Sequence, residues 1–276
     1  FTGDPADAVQ NNIAFILDYD NYLTDSYFGL NTVDVVEDSF RFNAMYAHYF
    51  TQRSSLNAGI SVNGRLMDNG YIQHNPKRDA ETYDNNVWVG KANTLEPGIY
   101  AEYTYNIEDK FSLVVGVRGD YSMVDGDYYY KAKPQMLLTP RSHIKWNITP
   151  STVLRLSGGL GYRRASIITD NIWMLATGRK INVTDLNDDI EQALTAGGSI
   201  TQYLKLGGYA DATISFDYFR TQLYNTVLAD QELGAAMGTP ADEIWVYNTD
   251  DKSFSDTYQV DFQWTPVKGL DLFATY

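Results

Sequence analysis

The sequence predicts an all-β chain: a transmembrane antiparallel up-and-down β-barrel, with about eleven strands in 276 residues. Three observations carry that reading. Apolar and polar residues alternate with period two over segments of about nine to thirteen residues. Globular strands average about five or six, whereas a tilted strand crossing a bilayer needs about nine to eleven. Short and long connections alternate along the chain. The whole net charge of −14 falls in the long connections.

The strands are expected at 12–19, 38–50, 55–66, 96–105, 111–122, 138–146, 152–164, 199–206, 211–222, 254–264 and 270–276. The third sets Leu56, Ala58, Ile60, Val62 and Leu66 against Asn57, Ser61, Asn63 and Arg65. The fifth sets Leu113, Val115 and Val117 against Ser112, Gly116 and Arg118. The seventh sets Leu154, Leu156, Leu160 and Tyr162 against Arg155, Ser157 and Arg163. Leu113, Val115, Val117, Leu154, Leu156, Val260 and Phe262 are therefore expected to face lipid, and Arg118, Arg155, Arg163 and Gln259 the lumen. A lumen face rich in Arg, Lys, Asn and Ser implies a wide, hydrated interior or one filled by a separate plug. Tyr103, Tyr121 and Tyr162 stand at strand ends, where an interfacial aromatic belt is expected.

The short connections, 51–54, 106–110, 147–151, 207–210 and 265–269, carry turn chemistry such as Asn147-Ile-Thr-Pro-Ser151. The long ones are roughly 20–37, 67–95, 123–137, 165–198 and 223–253. Counted over 18–39, 67–94, 123–137, 165–198 and 223–253, the long loops hold 23 acids and 8 bases, leaving 12 acids and 13 bases elsewhere. A near-neutral wall suits lipid, where an outward Lys or Arg at the midplane costs about 2–4 kcal/mol. The loop acids are explained by solvation alone. They also leave room for bound Ca²⁺ or for capture of a polyhydroxylated or cationic ligand.

Composition removes several functions. With no cysteine there is no disulfide scaffold, thiolate metal site or cysteine nucleophile. An excess of 35 acids over 21 bases argues against a nucleic-acid partner. No apolar run is long enough for a transmembrane helix, which leaves a barrel untouched. Nothing after Phe1 reads as a signal peptide, so the chain is expected to be mature or a piece of something longer. No catalytic constellation stands out, and Gly159-Leu-Gly161 precedes no helix start, so no enzyme is expected.

A series of segments resembles the barrel domain of TonB-dependent outer-membrane receptors, particularly those of Bacteroidota. They are Leu95-Glu-Pro-Gly-Ile-Tyr-Ala-Glu-Tyr-Thr-Tyr105, Phe111-Ser-Leu-Val-Val-Gly-Val-Arg-Gly-Asp-Tyr121 and Thr152-Val-Leu-Arg-Leu-Ser-Gly-Gly-Leu-Gly-Tyr-Arg163. Ile172-Trp-Met-Leu-Ala-Thr-Gly-Arg-Lys-Ile181, Asp217-Tyr-Phe-Arg220 and Ser253-Phe-Ser-Asp-Thr-Tyr-Gln-Val-Asp-Phe262 continue it. The resemblance implies a plugged barrel of about twenty-two strands. Residues 1–276 would then be a segment of the barrel domain, with the N-terminal plug and the final strands outside it. It implies a multi-pass protein of the Gram-negative outer membrane that imports a scarce nutrient with energy delivered by TonB. Ferric siderophore, cobalamin, haem and oligosaccharide all fit. The partners implied are outer-membrane lipid, TonB through the absent N-terminal part, the ligand and a surface lipoprotein. A passive porin and an all-β extracellular glycan-binding or adhesin module remain as alternatives. Thr184–Ala196, read as a helical region of a loop, departs from the family's pattern.

The expected ligand-binding residues are Trp173, Arg179, Trp245 and Tyr247, all in long loops. Aromatic rings offer a flat apolar face, and an arginine offers a fixed fork of donors. Trp88 and Tyr128-Tyr-Tyr130 share that chemistry. His74 is the loop histidine placed to contact a metal or haem, whereas His143 is in phase with the lumen face. Asp18, Asp20 and Asp25 resemble a Ca²⁺ loop but lack its glycine and distal Glu, and Asn187-Asp-Asp189 is no stronger. No metal ligand set is assigned.

Overall fold

In a computed structural model, residues 11–276 are described apart from 29–30, 74–85, 108–109, 127–132, 166, 178, 184–185, 187–189, 208, 233–242 and 250–252. His74, Tyr128-Tyr-Tyr130 and Asn187-Asp-Asp189 lie outside the described residues, as does the side chain of Trp88. Eleven strands form one antiparallel sheet. They are β1 (Asn12–Phe28), β2 (Asn31–Thr51), β3 (Ser54–Gln73), β4 (Asn86–Ile107), β5 (Phe111–Gly126), β6 (Gln135–Thr149) and β7 (Thr152–Arg164), then β9 (Ile190–Leu204), β10 (Ala212–Tyr224), β13 (Ser253–Val267) and β14 (Leu270–Thr275). Each pairs with the next in that order. β1 and β14 are its edges and do not pair with each other among the described residues.

Three short strands, β8 (Lys180–Asn182), β11 (Val227–Asp230) and β12 (Glu243–Asn248), form a separate sheet in the order β11-β12-β8. A four-residue helical turn, α1 (Ile167–Asp170), and a 3-10 turn (Ile172–Thr177) precede β8. None of these was legible in the long loops that hold them.

Cross-strand partners in a pleated sheet share a face, so the register sorts the side chains. One row runs Ile13, Tyr46, Ala58, Ala101, Val117, Pro140. The neighbouring polar-face row runs Ile16, Asn43, Ser61, Gly98, Asp120, Leu137. Leu113, Val115, Val117, Leu154, Leu156, Val260 and Phe262 fall on the first face; Arg118, Arg155 and Gln259 fall on the second. The apolar face is open, with Phe15 at 73%, Leu17 at 77% and Ile99 at 66% exposure. An apolar surface of this extent is stable against lipid and not against water.

Segment 20–37 is not a loop. β1 and β2 stay paired up to Phe28 and Asn31. Alternation fades there because neither face meets lipid, and ladder hydrogen bonds hold the hairpin without it. β2 has 21 residues and β7 has 13. At about 3.3 Å per residue and about 40° of tilt, the β1–β4 side stands roughly 20 Å taller than the β7 side.

At the opposite end the turns are tight. Thr51 Oγ1 accepts the N–H groups of Arg53 and Ser54, both at 3.1 Å. Thr149 Oγ1 accepts the N–H of Ser151 at 3.2 Å. Gly269 takes φ 87° between β13 and β14, a conformation that a Cβ would strain.

Two expectations are corrected. The helical reading of Thr184–Ala196 fails because β9 begins at Ile190 and pairs with β7 from Ile190 and with β10 from Gln192. Tyr162 does not face lipid. β6 and β7 stop pairing at Arg141 and Gly159, while β7 and β9 continue to Arg164 and Ile190. The upper ends of β7 and β9 thus leave the wall and lean across the polar face. The side of β7 that faced lipid lower down then meets the inner side of β5, where Arg164 Nη2 donates to Ser122 Oγ at 2.8 Å.

Candidate functional site

The two longest described connections fold together into a cap. Ile167, Met174, Ile181 and Leu186 come from one, and Ile244 and Val246 from the other. All are buried in one apolar cluster with Val33, Val35, Met67 and Ala92 from the tall strands. Those four lie on the polar face of β2, β3 and β4, so the cap is seated against the inside of the tall wall. β8 pairs in parallel with β12 through Ile181 and Ile244, which joins the two connections.

Beneath the cap is a cavity of about 390 Å³ lined by Asp18, Asp20, Arg41, Arg65, Glu96 and Arg163, among others. A second of about 680 Å³ lies deeper, along Asn43, Asn57, Tyr100, Glu102, Arg141 and Leu160. The wall between them is cross-linked by charge. Asp120 is fully buried and accepts from Arg118 Nε at 2.7 Å and from Arg118 Nη2. Arg118 Nη2 also donates to Ser61 Oγ at 2.7 Å, tying β5 to β3 across β4. Ser122 Oγ donates to Glu96 Oε1 at 2.7 Å. Arg141 Nε donates to Glu102 Oε2 at 2.9 Å. Gly98 makes room for the cluster, since a Cβ there would fall 2.0 Å from Asp120 Oδ1.

All four expected ligand residues lie in the cap, in unequal positions. Trp173 (39% exposed) and Arg179 line one open hollow with Leu228, Asp230 and Glu232. Arg179 is also a brace between the loops, since its Nη1 donates to the Gln231 carbonyl at 3.1 Å. In β12, Ile244 and Val246 point into the cap core, so Trp245 and Tyr247 occupy the other face of the small sheet. Their cross-strand partners are Asp230 and Leu228, which line the Trp173 hollow. Trp245 Nε1 is buried without an acceptor, a donor left unsatisfied at a cost of about 1–3 kcal/mol. Asp18 and Asp20 point to the polar face, and Asp25 to the other side of the same strand, so the three carboxylates do not converge.

Sequence reasoning missed Asp120, Glu191 and Asn225. Asp120 reads as one more lumen-phase polar residue, and its burial depends on strands distant in sequence. Asn225 holds φ 55°, a left-handed value that asparagine tolerates, and its Nδ2 donates to the Ile190 carbonyl at 2.7 Å.

A membrane-facing wall with a capped polar interior is the architecture of an outer-membrane receptor barrel. The sequence profile described as "TonB dependent receptor-like, beta-barrel" matches residues 2–276. The chain belongs to that family. The family is an outer-membrane one, so the long-loop end of this TonB-dependent receptor barrel is extracellular, its polar face is the lumen, and its short turns are periplasmic.

Solved structures agree in fold. The copper transporter OprC superposes with TM-score 0.66 at 11% identity over 96% of this chain and 42% of its own. The FrpB iron transporter from Neisseria meningitidis gives 0.62 at 13% identity over 99% and 42%. The ferripyoverdine receptor of the Pseudomonas aeruginosa outer membrane, bound to ferripyoverdine, gives 0.61 at 11% over 96% and 37%. The chain thus spans about two fifths of the length of these structures. No curated protein sequence matches it.

Proposed function

We propose that the chain is the ligand-facing part of an active importer, a receptor that captures a scarce nutrient outside and passes it inward with energy from TonB. The supporting observation is the cap: two extracellular loops folded into one body over a polar, charge-cross-linked lumen. A passive porin needs an open mouth, and a seated cap with an apolar core works against that. TonB would be engaged, and the lumen plugged, by parts of the receptor outside this chain. A surface lipoprotein is a further candidate partner at the extracellular rim.

Capture would begin on the outer cap face, at Trp173, Arg179, Trp245 and Tyr247, with the cavity beneath as the next station. This surface mixes flat aromatic faces with carboxylates and an arginine fork, which suits a ligand with ring faces and oxygen donors. Siderophore, cobalamin, haem and oligosaccharide all meet that description. The acidic loops leave room for bound Ca²⁺ as a cofactor. The test is uptake of radiolabelled candidates by cells carrying the intact receptor. Import should stop when the inner-membrane proton gradient is collapsed and should fall at least tenfold in the Trp173→Ala, Trp245→Ala double variant. Uptake that persists without the gradient would identify a passive channel instead.

A further inference from the structure

β6 and β7 part inside the membrane. Their pairing ends at Arg141 and Gly159, while β6 stays paired with β5 up to Gln135 and β7 with β9 up to Arg164. At about 3.3 Å per residue and about 40° of tilt, Gly159 stands roughly 18 Å above the turn that joins the two strands, within an apolar band about 25 Å tall. Among the described residues, β6 from Gln135 to Pro140 therefore has no strand paired on that side, at a depth where lipid offers a backbone no hydrogen bonds. The sequence supplies the cause. Pro140 has no N–H, and its carbonyl oxygen lies 3.3 Å from where a Cβ on Gly159 would fall, so the edge turned to β7 lacks a donor at the last rung. Opposite it, β7 reads Gly158-Gly159-Leu160-Gly161, a stretch that bends without steric cost.

We propose that the upper end of β7, residues 160–164, is a strap with two seats: the observed one against the inner side of β5, and a second in the wall, zipped onto β6. The observed seat is held by Arg164 Nη2, which donates to Ser122 Oγ at 2.8 Å. The wall seat follows from register. Continuing the ladder upward from Arg141 and Gly159 sets Leu160 beside Pro140, Tyr162 beside Leu138 and Arg164 beside Met136. There Leu160 and Tyr162 face lipid in phase with Leu154 and Leu156, beside Leu138 and Met136, which are 62% and 72% exposed. The period of β7 thus fits both seats. The observed seat leaves the edge of β6 in lipid. The wall seat gives up Ser122 and carries Arg164 to the outer boundary of the apolar band, where an outward cation costs little. The strap also lies between the two cavities. Arg163 and Arg164 line the one beneath the cap, Leu160 and Gly161 the deeper one, and Tyr162 both. Moving the strap into the wall takes Tyr162 from that junction and joins the cavities.

The strap takes its purpose from the import reading, but its test needs no substrate. The chain has no native cysteine, so introduced pairs can be followed in the intact receptor, with any cysteine outside this chain replaced by serine. Leu138→Cys and Tyr162→Cys are partners only in the wall seat, because in the observed one Leu138 faces lipid and Tyr162 lines the lumen cavities. Oxidation in outer-membrane vesicles should close this disulfide, read by mass-tagging the remaining thiols after unfolding. Ser122→Ala or Arg164→Leu, each of which releases the observed seat, should speed closure by roughly tenfold. Ile144→Cys with Leu156→Cys, partners in the observed ladder, should close at one rate in every background. Leu138→Cys with Arg163→Cys, one residue out of register, should lag by roughly tenfold or more. The strap is overturned if the in-register pair stays reduced in the Ser122→Ala and Arg164→Leu receptors while the Ile144–Leu156 control closes. It is overturned equally if the out-of-register pair closes as fast, which marks fraying and not a seat.

Uptake by the same receptor tests the role. A strap that returns to the lumen in each cycle is stopped by the oxidised Leu138→Cys, Tyr162→Cys pair, so import should fall by roughly tenfold and recover on reduction. Equal import in the oxidised and reduced receptor overturns the strap's part in the passage. If uptake persists without the proton gradient while the cross-linking pattern holds, the import reading fails and the two seats stand.

Discussion

Removing the carboxylate of Asp120 should cost about 2–3 kcal/mol of barrel stability. The side chain is fully buried, and Arg118 is its ion-pair partner, 30% exposed. Breaking a buried pair by deleting one member typically costs about 3–5 kcal/mol, because the other charge is left uncompensated. Arg118 keeps its bond to Ser61 Oγ and some access to lumen water, which lowers the expected value to about 2–3 kcal/mol for Asp120→Ala. Asp120→Asn retains volume and one acceptor and should cost about half as much. The informative variant is the double one. Arg118→Leu with Asp120→Ala removes both charges of the pair, so even with Ser61 Oγ losing its donor it should be more stable than Asp120→Ala alone by about 1 kcal/mol. The assay is urea unfolding of the intact receptor in detergent micelles, followed by tryptophan fluorescence and by gel shift. Strict additivity of the two single variants, or a cost for Asp120→Ala below about 0.5 kcal/mol, would show that the cluster does not act as a unit.

Gly98→Ala should destabilise by about 1–3 kcal/mol through the clash of its Cβ with Asp120 Oδ1, and the loss should shrink in an Asp120→Ala background. Spin labels at successive positions from Leu113 to Arg118 should alternate between oxygen-accessible and water-accessible; uniform water access would contradict the lipid-facing assignment. Replacing 167–186 with a short Gly-Ser linker should leave the barrel insertable, whereas a deletion of 168–196 should impair insertion because it removes the start of β9, read by the gel shift of membrane fractions. At the extracellular tip, the pKa of Asp34 is raised from its ordinary value by desolvation and by Asp25 directly across the hairpin. A raised carboxyl adds stability at low pH that is lost as pH climbs through its folded value. Asp34→Asn should therefore slow amide exchange over 20–36 at pH 7 and make no difference below the carboxylate range; equal exchange at both would remove the pair as a source of strain.

The wall was legible because lipid imposes a rule on every second residue. Leu113, Val115 and Val117 have no freedom to be polar, so their period survives in the sequence. That rule ends where the membrane ends. Leu23 and Val36 face each other in the upper hairpin, but Asp25 and Asp34 follow them, and the pattern dissolves into what reads as a loop. The cap was hidden for a different reason. Ile244 and Val246 alternate over only six residues of β12, and β8 contributes three, too few to distinguish from chance. Their partners sit in another hairpin, so nothing local announces them. Tyr162 obeyed the period and still misled, because the strand bearing it departs from β6 at Gly159. Trp173 and Arg179 were singled out by loop chemistry and line one hollow, but the bracing contact of Arg179 depends on a carbonyl at Gln231 that no motif reveals.

The parallel pairing of β8 with β12 also fixes an order of events. Residues 180–182 meet 243–245, roughly sixty positions further along, and β9 and β10 intervene. Such a contact closes a long chain segment, and its entropic cost is met only after the intervening hairpin has anchored both ends. Strand formation by circular dichroism should therefore precede protection of Trp245 from an aqueous quencher during refolding. A receptor caught between the two stages would already be embedded in the bilayer but have no roof.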